Sequence, residues 1–469
     1  MNTETGMRPL LMLPEMLLFG GGLVVLIAGS FLPRQRLSWT RGITATVLAA
    51  ACVAAAVGMA GSDQAAFDGT FAGDHITAVS RIVAATGALL VVLVAGGEIG
   101  GSAREAETYA LVLFSTTGTV IVAAADDMLV LATGFLLAGI PLYGLIGMRQ
   151  HPNAAEAAMK TYLLGALFSI MLLLGITILY GLTGSTRYDH LASALGGAPF
   201  PAVVTGVVAV IGGLMFEAGG VPAHFWVPDA AQGTSGSAAM FLTTVPKVGA
   251  VAAIYRVSTI LPAATNWSLL ISVFAVASMT LGNLAAYGQQ DPRRLLGWST
   301  VSQVGFLLVP ITVLGRSELA LPSLLFYLAG YTLTNCAAFA VSTALPDRRS
   351  LTSYRGLARG RPWLAGALVV ALLGLVGTPP TAVFVGKLTT AIAAWDGGFP
   401  WLAVAVFVNS LISLFYYLRW IIPSFQVPLA GKTIDRFPAE KWSARVAVTA
   451  AGLSVVLGVA AGAVWPLLA

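Results

Sequence analysis

Charge is what this 469-residue chain has least of. Asp, Glu, Lys and Arg make up 10% of it against 57% apolar residues, whereas soluble globular domains carry about 25% charged residues. A water-soluble globule is excluded, and the solvent implied is the bilayer. Cysteine is nearly absent: Cys52 and Cys336 sit far apart inside apolar runs, which argues against a disulfide framework or a thiolate cluster. Four histidines and dispersed carboxylates offer no metal-ligand spacing, and no glycine-rich phosphate loop lies between a strand and a helix. The chain alone is expected to carry no cofactor, no metal and no redox chemistry. Alternating segments of about ten residues, the mark of a membrane barrel, are missing as well.

What is present is a series of apolar runs of about 20 residues, the length of a membrane-spanning helix. They fall near 9–32, 41–60, 76–97, 108–125, 127–147, 159–183, 201–222, 237–260, 267–288, 295–315, 320–343, 363–391, 400–422 and 444–467. The fold class expected is all-α, a polytopic membrane protein of about 14 transmembrane helices. The first run has no small-residue cleavage site and is read as the first spanning helix, not a signal peptide.

A formal charge of +5 suggests nucleic acid, but its placement points elsewhere. Counting loops alternately from an outside N-terminus, eighteen basic residues fall on one side, from Arg34, Arg36 and Arg41 through Arg293, Arg294, Arg348 and Arg349 to Lys432, Arg436, Lys441 and Arg445. Only Arg8, Arg81, Arg187, Arg256 and Arg316 fall on the other. The positive-inside rule then places both termini on the non-cytoplasmic side of a cell (inner or plasma) membrane. The basic loop "DRRSLTSYRGLARGRP" (347–362) reads as part of that signal, and "FYYLRW" (415–420) as an interfacial aromatic belt.

Inside the runs the clear ionisable residues are Glu217, Lys247 and Lys387. Each costs about 2.5–3.5 kcal/mol at a helix centre, so each is a functional candidate, with a structural ion pair as the alternative. The backbone beside them is broken. "GGLMFEAGGVPAHFWVPDAAQG" (212–233) sets Gly219, Gly220 and Pro222 next to Glu217, and "GTPPTAVFVGK" (377–387) sets Pro379 and Pro380 ahead of Lys387. Irregular backbone at depth survives only against protein or a water-filled cavity. Two broken helices with ionisable residues, in separate halves of the chain, suit a transporter of inverted repeats with ion sites at the breaks. Lys247 follows Pro246 and suits a proton relay, or snorkels to an interface. His224, in "PAHFW", is either a proton carrier or a structural donor.

"EAAMKTYLLGALFSIMLLLGITILYGLTGST" (156–186), "VPAHFWVPDAAQG", "VPKVGAVAAIYR", "GNLAAYGQQDPRRLLGWSTVSQVGFLL" (282–308), "YTLTNCAAFAV" (331–341), "YRGLARGRPWLA" (354–365), "GTPPTAVFVGK" and "FVNSLISLFYYLR" (407–419) stand in one order. Over residues 70–425 the chain resembles the antiporter-like membrane subunits of complex I, the N subunit of NADH-quinone oxidoreductase most of all. Pro14-Glu15 fits the opening of that type. The resemblance implies helices 1–3 over 1–107, inverted five-helix repeats over 108–260 (helices 4–8) and 261–425 (helices 9–13), broken helices 7 and 12, and helix 14 within 426–469. It implies proton translocation along buried charges, driven by NAD, FMN, iron–sulfur clusters and quinone in partner subunits.

Carried over by position, the helix 8 and helix 12 lysines of the family match Lys247 and Lys387. The usual helix 5 glutamate is replaced by Leu136, and the usual helix 7 lysine by Glu217. Changing both partners avoids a stranded charge, and Glu217 is expected to pair directly with Lys247. An Mrp-type cation/proton antiporter, a hydrogenase-linked subunit, and a structural subunit with an inactive channel are the alternatives.

Overall fold

Among the described residues of the computed structural model, thirteen helices are long and apolar enough to cross a membrane. The structure describes residues 7–61, 63–262, 266–427 and 439–468; Lys432 and Arg436 lie outside them. In chain order come α1 (Leu13–Phe31), α2 (Ser38–Met59), α3 (His75–Ile99), α4 (Glu105–Ala124), α5 (Met128–Gly147), α6 (Pro152–Thr183), the short α7 (Tyr188–Ala194) and α8 (Phe200–Ala218). They are followed by α9 (Trp226–Gly233), α10 (Gly236–Leu242), α11 (Val245–Thr259), α12 (Trp267–Tyr287), α13 (Pro292–Thr312) and α14 (Ala320–Ala344). Then come α15 (Leu357–Gly360), α16 (Pro362–Val376), α17 (Ala382–Asp396), α18 (Pro400–Phe425), α19 (Lys441–Val459) and α20 (Ala461–Val464).

The run expected over 363–391, with a break at Pro379 and Pro380, forms two helices, α16 and α17, of 15 residues each. Between α2 and α3 the chain also forms a two-stranded antiparallel hairpin, with Ala65 opposite Ala72. Helix starts follow local chemistry. Asp127 accepts from the amides of Leu129 (2.7 Å) and Val130 (3.2 Å) at the start of α5, and Asp291 does the same for Arg293 and Arg294 at the start of α13.

The helices divide between two compact units. In the first, comprising residues up to Leu89, Ala103–Trp226 and Val245–Ile271, α4 packs on α1, α5 and α11, and α8 packs on α6 and α11. Two arginines counted as loop charges are buried here. Arg81 pairs with Glu15 at 2.7 Å, two ionisable residues within spans that a scan for clear intramembrane charge passes over. Arg256 donates to Asp74 (2.6 Å), Thr77 (2.7 Å) and the carbonyl of Ala123 (2.7 Å). In the second unit, Leu90–Ser102, Val227–Thr244 and Ser272 onward, α14 packs on α13, α16, α17 and α19. Arg294 pairs with Asp229 at 2.5 Å, and Arg293 donates to the carbonyl of Thr234 at 3.0 Å. These charges hold structure.

The aromatic belt expected at 415–420 is not one. Tyr416, Tyr417 and Trp420 are buried, with Tyr417 on Ser299 at 2.5 Å and Tyr416 donating to Asn283 at 3.2 Å. The two tyrosine hydroxyls find partners inside the unit, which is what a buried phenol requires.

Candidate functional site

α8 and α16 end in the same way. Gly219 stands at φ +77°, and its amide and that of Gly220 turn back to the carbonyl of Met215 at 2.9 and 3.0 Å. Gly377 stands at φ +93°, and its amide and that of Thr378 reach the carbonyl of Leu373, both at 3.1 Å. Only glycine takes this left-handed conformation without strain. Pro222, Pro379 and Pro380 lack an amide proton and keep either helix from resuming at once. Caps of this kind satisfy the first carbonyls of the final turn and leave the later ones open.

In each unit a lysine occupies those carbonyls. Lys247 on α11 donates from Nζ to the main-chain oxygen of Glu217 at 3.0 Å. Lys387 on α17 donates to the oxygens of Leu375 (2.9 Å) and Val376 (3.0 Å). The peptide dipoles of a helix leave its C-terminus partly negative, so an ammonium is stabilised there. Each ammonium also lies over an aromatic face, 4.7 Å from the ring centre of Trp226 and 3.8 Å from that of Phe306. Both lysines are buried, so Lys247 does not snorkel.

The direct ion pair expected between Glu217 and Lys247 is not formed. Glu217 is 1% exposed, and neither of its carboxylate oxygens has a hydrogen-bond partner among the described residues. The geometry of a helix end explains this. The carbonyl of residue 217 points along the axis toward the break, where Lys247 reaches it, whereas the side chain leaves radially. It turns toward α5, where a Cβ added to Gly139 would stand 3.9 Å from Oε2. Leu136, also on α5, is 38% exposed and brings no titratable group.

His224 lies in the break itself, buried, with its ring 4.2 Å from that of Phe225. Of the residues singled out in the sequence, Glu217, His224 and Lys247 belong to the first unit and Lys387 to the second. Charge alone misses the neutral partners of Lys387. Gln303 donates to the carbonyl of Leu375 at 2.9 Å, sharing it with Lys387, and accepts from the hydroxyl of Tyr327 at 2.6 Å. The polar stretch "STVSQ" (299–303) inside an apolar span was the available signal.

Outside the spans, Asp74 and Asp126 of the first unit are shifted in opposite senses. Burial pushes Asp74 up, but the Arg256 charge, with hydrogen bonds from Arg256 and Thr77, outweighs it and holds the group below its usual range. Asp126 is pushed up by burial, which the charge of Arg256 only partly offsets.

A family profile described as NADH:quinone oxidoreductase/Mrp antiporter, TM, matches residues 125–413. The chain is 66% identical over 467 residues to the NADH-quinone oxidoreductase subunit N of Mycobacterium sp. (strain JLS), covering 100% of both chains. The chain belongs to this family. Another member, the NADH-quinone oxidoreductase subunit N 1 of Streptomyces griseus, is 44% identical over 466 residues, covering 99% of this chain and 98% of that one. Among solved structures, a chain of respiratory complex I from Thermus thermophilus with bound aureothin superposes with TM-score 0.83 at 30% identity, over 97% of this chain and 99% of that one. A chain of the Mrp complex from Dietzia sp. DQ12-45-1b shares the fold, with TM-score 0.83 at 23% identity over 100% and 96% of the two chains.

Proposed function

We propose that this chain is the proton-translocating, N-type membrane subunit of a complex I-like NADH-quinone oxidoreductase. Partner subunits hold NAD, FMN, iron–sulfur clusters and quinone, and their redox chemistry drives the movement. Glu217, Lys247 and Lys387 are the proton-handling groups, and His224 passes protons beside the first break. The observation that carries this reading is the Glu217 carboxylate, buried without a hydrogen-bond partner among the described residues, on the last turn of a helix whose end Lys247 holds. Such a carboxylate in a membrane is costly and is kept for use.

The finer architecture belongs to the same proposal. Helices 4–8 (108–260) and 9–13 (261–425) form two inverted repeats, with 1–107 and 426–469 flanking them. The α8–α9 and α16–α17 segments are the broken helices 7 and 12, and both termini lie on the non-cytoplasmic side. The matching caps at Gly219 and Gly377 support the repeat, and the basic bias of one set of loops supports the orientation.

Gentle purification from native membranes, followed by reconstitution into liposomes, tests the reading. Co-purification with flavin and iron–sulfur subunits and NADH-driven proton uptake without sodium are expected. Sodium-coupled proton exchange in a set of Mrp-like membrane proteins would replace this reading with the antiporter one. Assembly with no contribution to proton uptake would make the chain a structural subunit.

A further inference from the structure

A buried carboxyl that changes protonation needs a group beside it that can exchange a proton. On α5, side chains lean toward the helix N-terminus, so the ring of Tyr143 extends back over Gly139, one turn earlier. A Cβ added to Gly139 would stand 3.0 Å from the Tyr143 hydroxyl oxygen and 3.9 Å from Glu217 Oε2. The two oxygens flank the same notch, left by a missing side chain. A methyl group at Gly165 of α6 would collide with that hydroxyl, so one glycine from each helix makes the slot that admits it. Apolar packing alone would be met by phenylalanine. The Tyr143 ring is half-buried and lies edge-on to Tyr162, at 6.1 Å and 80°, and Tyr162 is exposed on α6. Tyr162 follows Lys160, which pairs with Glu156 in an exposed part of α6 near its start, so Tyr143 and Tyr162 lie between the buried carboxylate and that polar end.

We propose that Tyr143 is the proton-relay partner of Glu217, passing protons between its carboxylate and water near the start of α6, where Glu156 and Lys160 form an exposed ion pair. The inference rests on Glu217 being a proton-handling group. In one transfer the phenol O–H bond breaks and its proton bonds to Glu217 Oε2, while the phenol oxygen takes a proton from a hydronium ion, releasing water. The tyrosine ends neutral, and the carboxylate has gained one proton. Rotation of the Glu217 side chain closes the gap between the two oxygens.

The test uses the complete complex in liposomes and reads protons moved per NADH oxidised. Tyr143→Phe is expected to lower this ratio as far as Glu217→Gln does, and the double variant to lower it no further. Gly165→Ala, which displaces the hydroxyl without removing a polar atom, is expected to give the same loss. The infrared carboxyl band that disappears in Glu217→Gln should shift in Tyr143→Phe, a change that a purely packing role would not produce. A wild-type ratio in assembled Tyr143→Phe overturns the relay, whatever Glu217→Gln does. A wild-type ratio in Glu217→Gln overturns the role of Glu217 and the relay together.

Discussion

Lys247 lays its ammonium on the main-chain carbonyl of Glu217, 3.0 Å away, while the carboxylate of the same residue turns toward Gly139 on α5. One residue thus offers two separate groups, an oxygen that anchors the lysine and a carboxyl that does not. Lys387 is anchored by the same principle on Leu375 and Val376.

Replacing Lys247 with Met keeps the volume and removes the donor. The buried carbonyl of Glu217 then loses its side-chain partner, at a cost of about 1–3 kcal/mol. A lower thermal unfolding midpoint of the purified complex is expected, together with reduced proton movement per NADH. An unchanged midpoint would show that the anchor contributes nothing to the fold.

Gly377→Ala places an L-residue in the left-handed region, costing about 1–2 kcal/mol. Its methyl would also stand 2.9 Å from Lys387 Cδ, so the lysine must shift. Proton movement should fall along with the unfolding midpoint. Loss of stability with full proton movement would separate the cap from the function of Lys387.

Much of this was legible in the sequence. Spanning helices announce themselves by length and apolarity, and the breaks by Gly219, Pro222, Gly377 and the two prolines that follow it. Glu217, Lys247 and Lys387 stood out because charge is scarce in the spans. The direct Glu217–Lys247 pair was the wrong expectation, because residue types do not say whether an ammonium meets a side chain or a main-chain oxygen. Gln303, Tyr327 and Tyr143 were missed because neutral hydroxyls and amides within apolar runs carry no charge signal. Their partners come from other helices, and a helix packing pattern is not written in one segment.

The stability of the first unit should depend on pH through Asp74 and Asp126, with opposite signs. Asp74 is held below its usual range in the folded chain, so its contribution is present at neutral pH and is lost below about pH 4, as the pH falls through the folded value. Asp126 is raised, so its charged form opposes folding at neutral pH, and that penalty is relieved as the pH falls through its folded value. Unfolding midpoints measured from pH 7 to 3 should show the acid decline weakened in Asp74→Asn and the neutral midpoint raised in Asp126→Asn. Identical profiles for all three proteins would contradict this assignment.

Gln303→Leu strips the Tyr327 hydroxyl of its acceptor and removes one of two donors to the carbonyl of Leu375, at a cost of about 1–3 kcal/mol. Lys387 keeps both of its carbonyls. Proton movement should therefore fall less than in Lys387→Met, measured side by side in the same liposomes. An equal loss would make the amide part of the path and not its support.

The proposed passage of protons through the carboxyl of Glu217 is tested by the number of protons moved per NADH oxidised by the reconstituted Glu217→Gln complex. Glutamine preserves the size and polarity of the side chain and removes only its ability to carry a proton. A ratio below wild type is expected, with all subunits present. A wild-type ratio would contradict it.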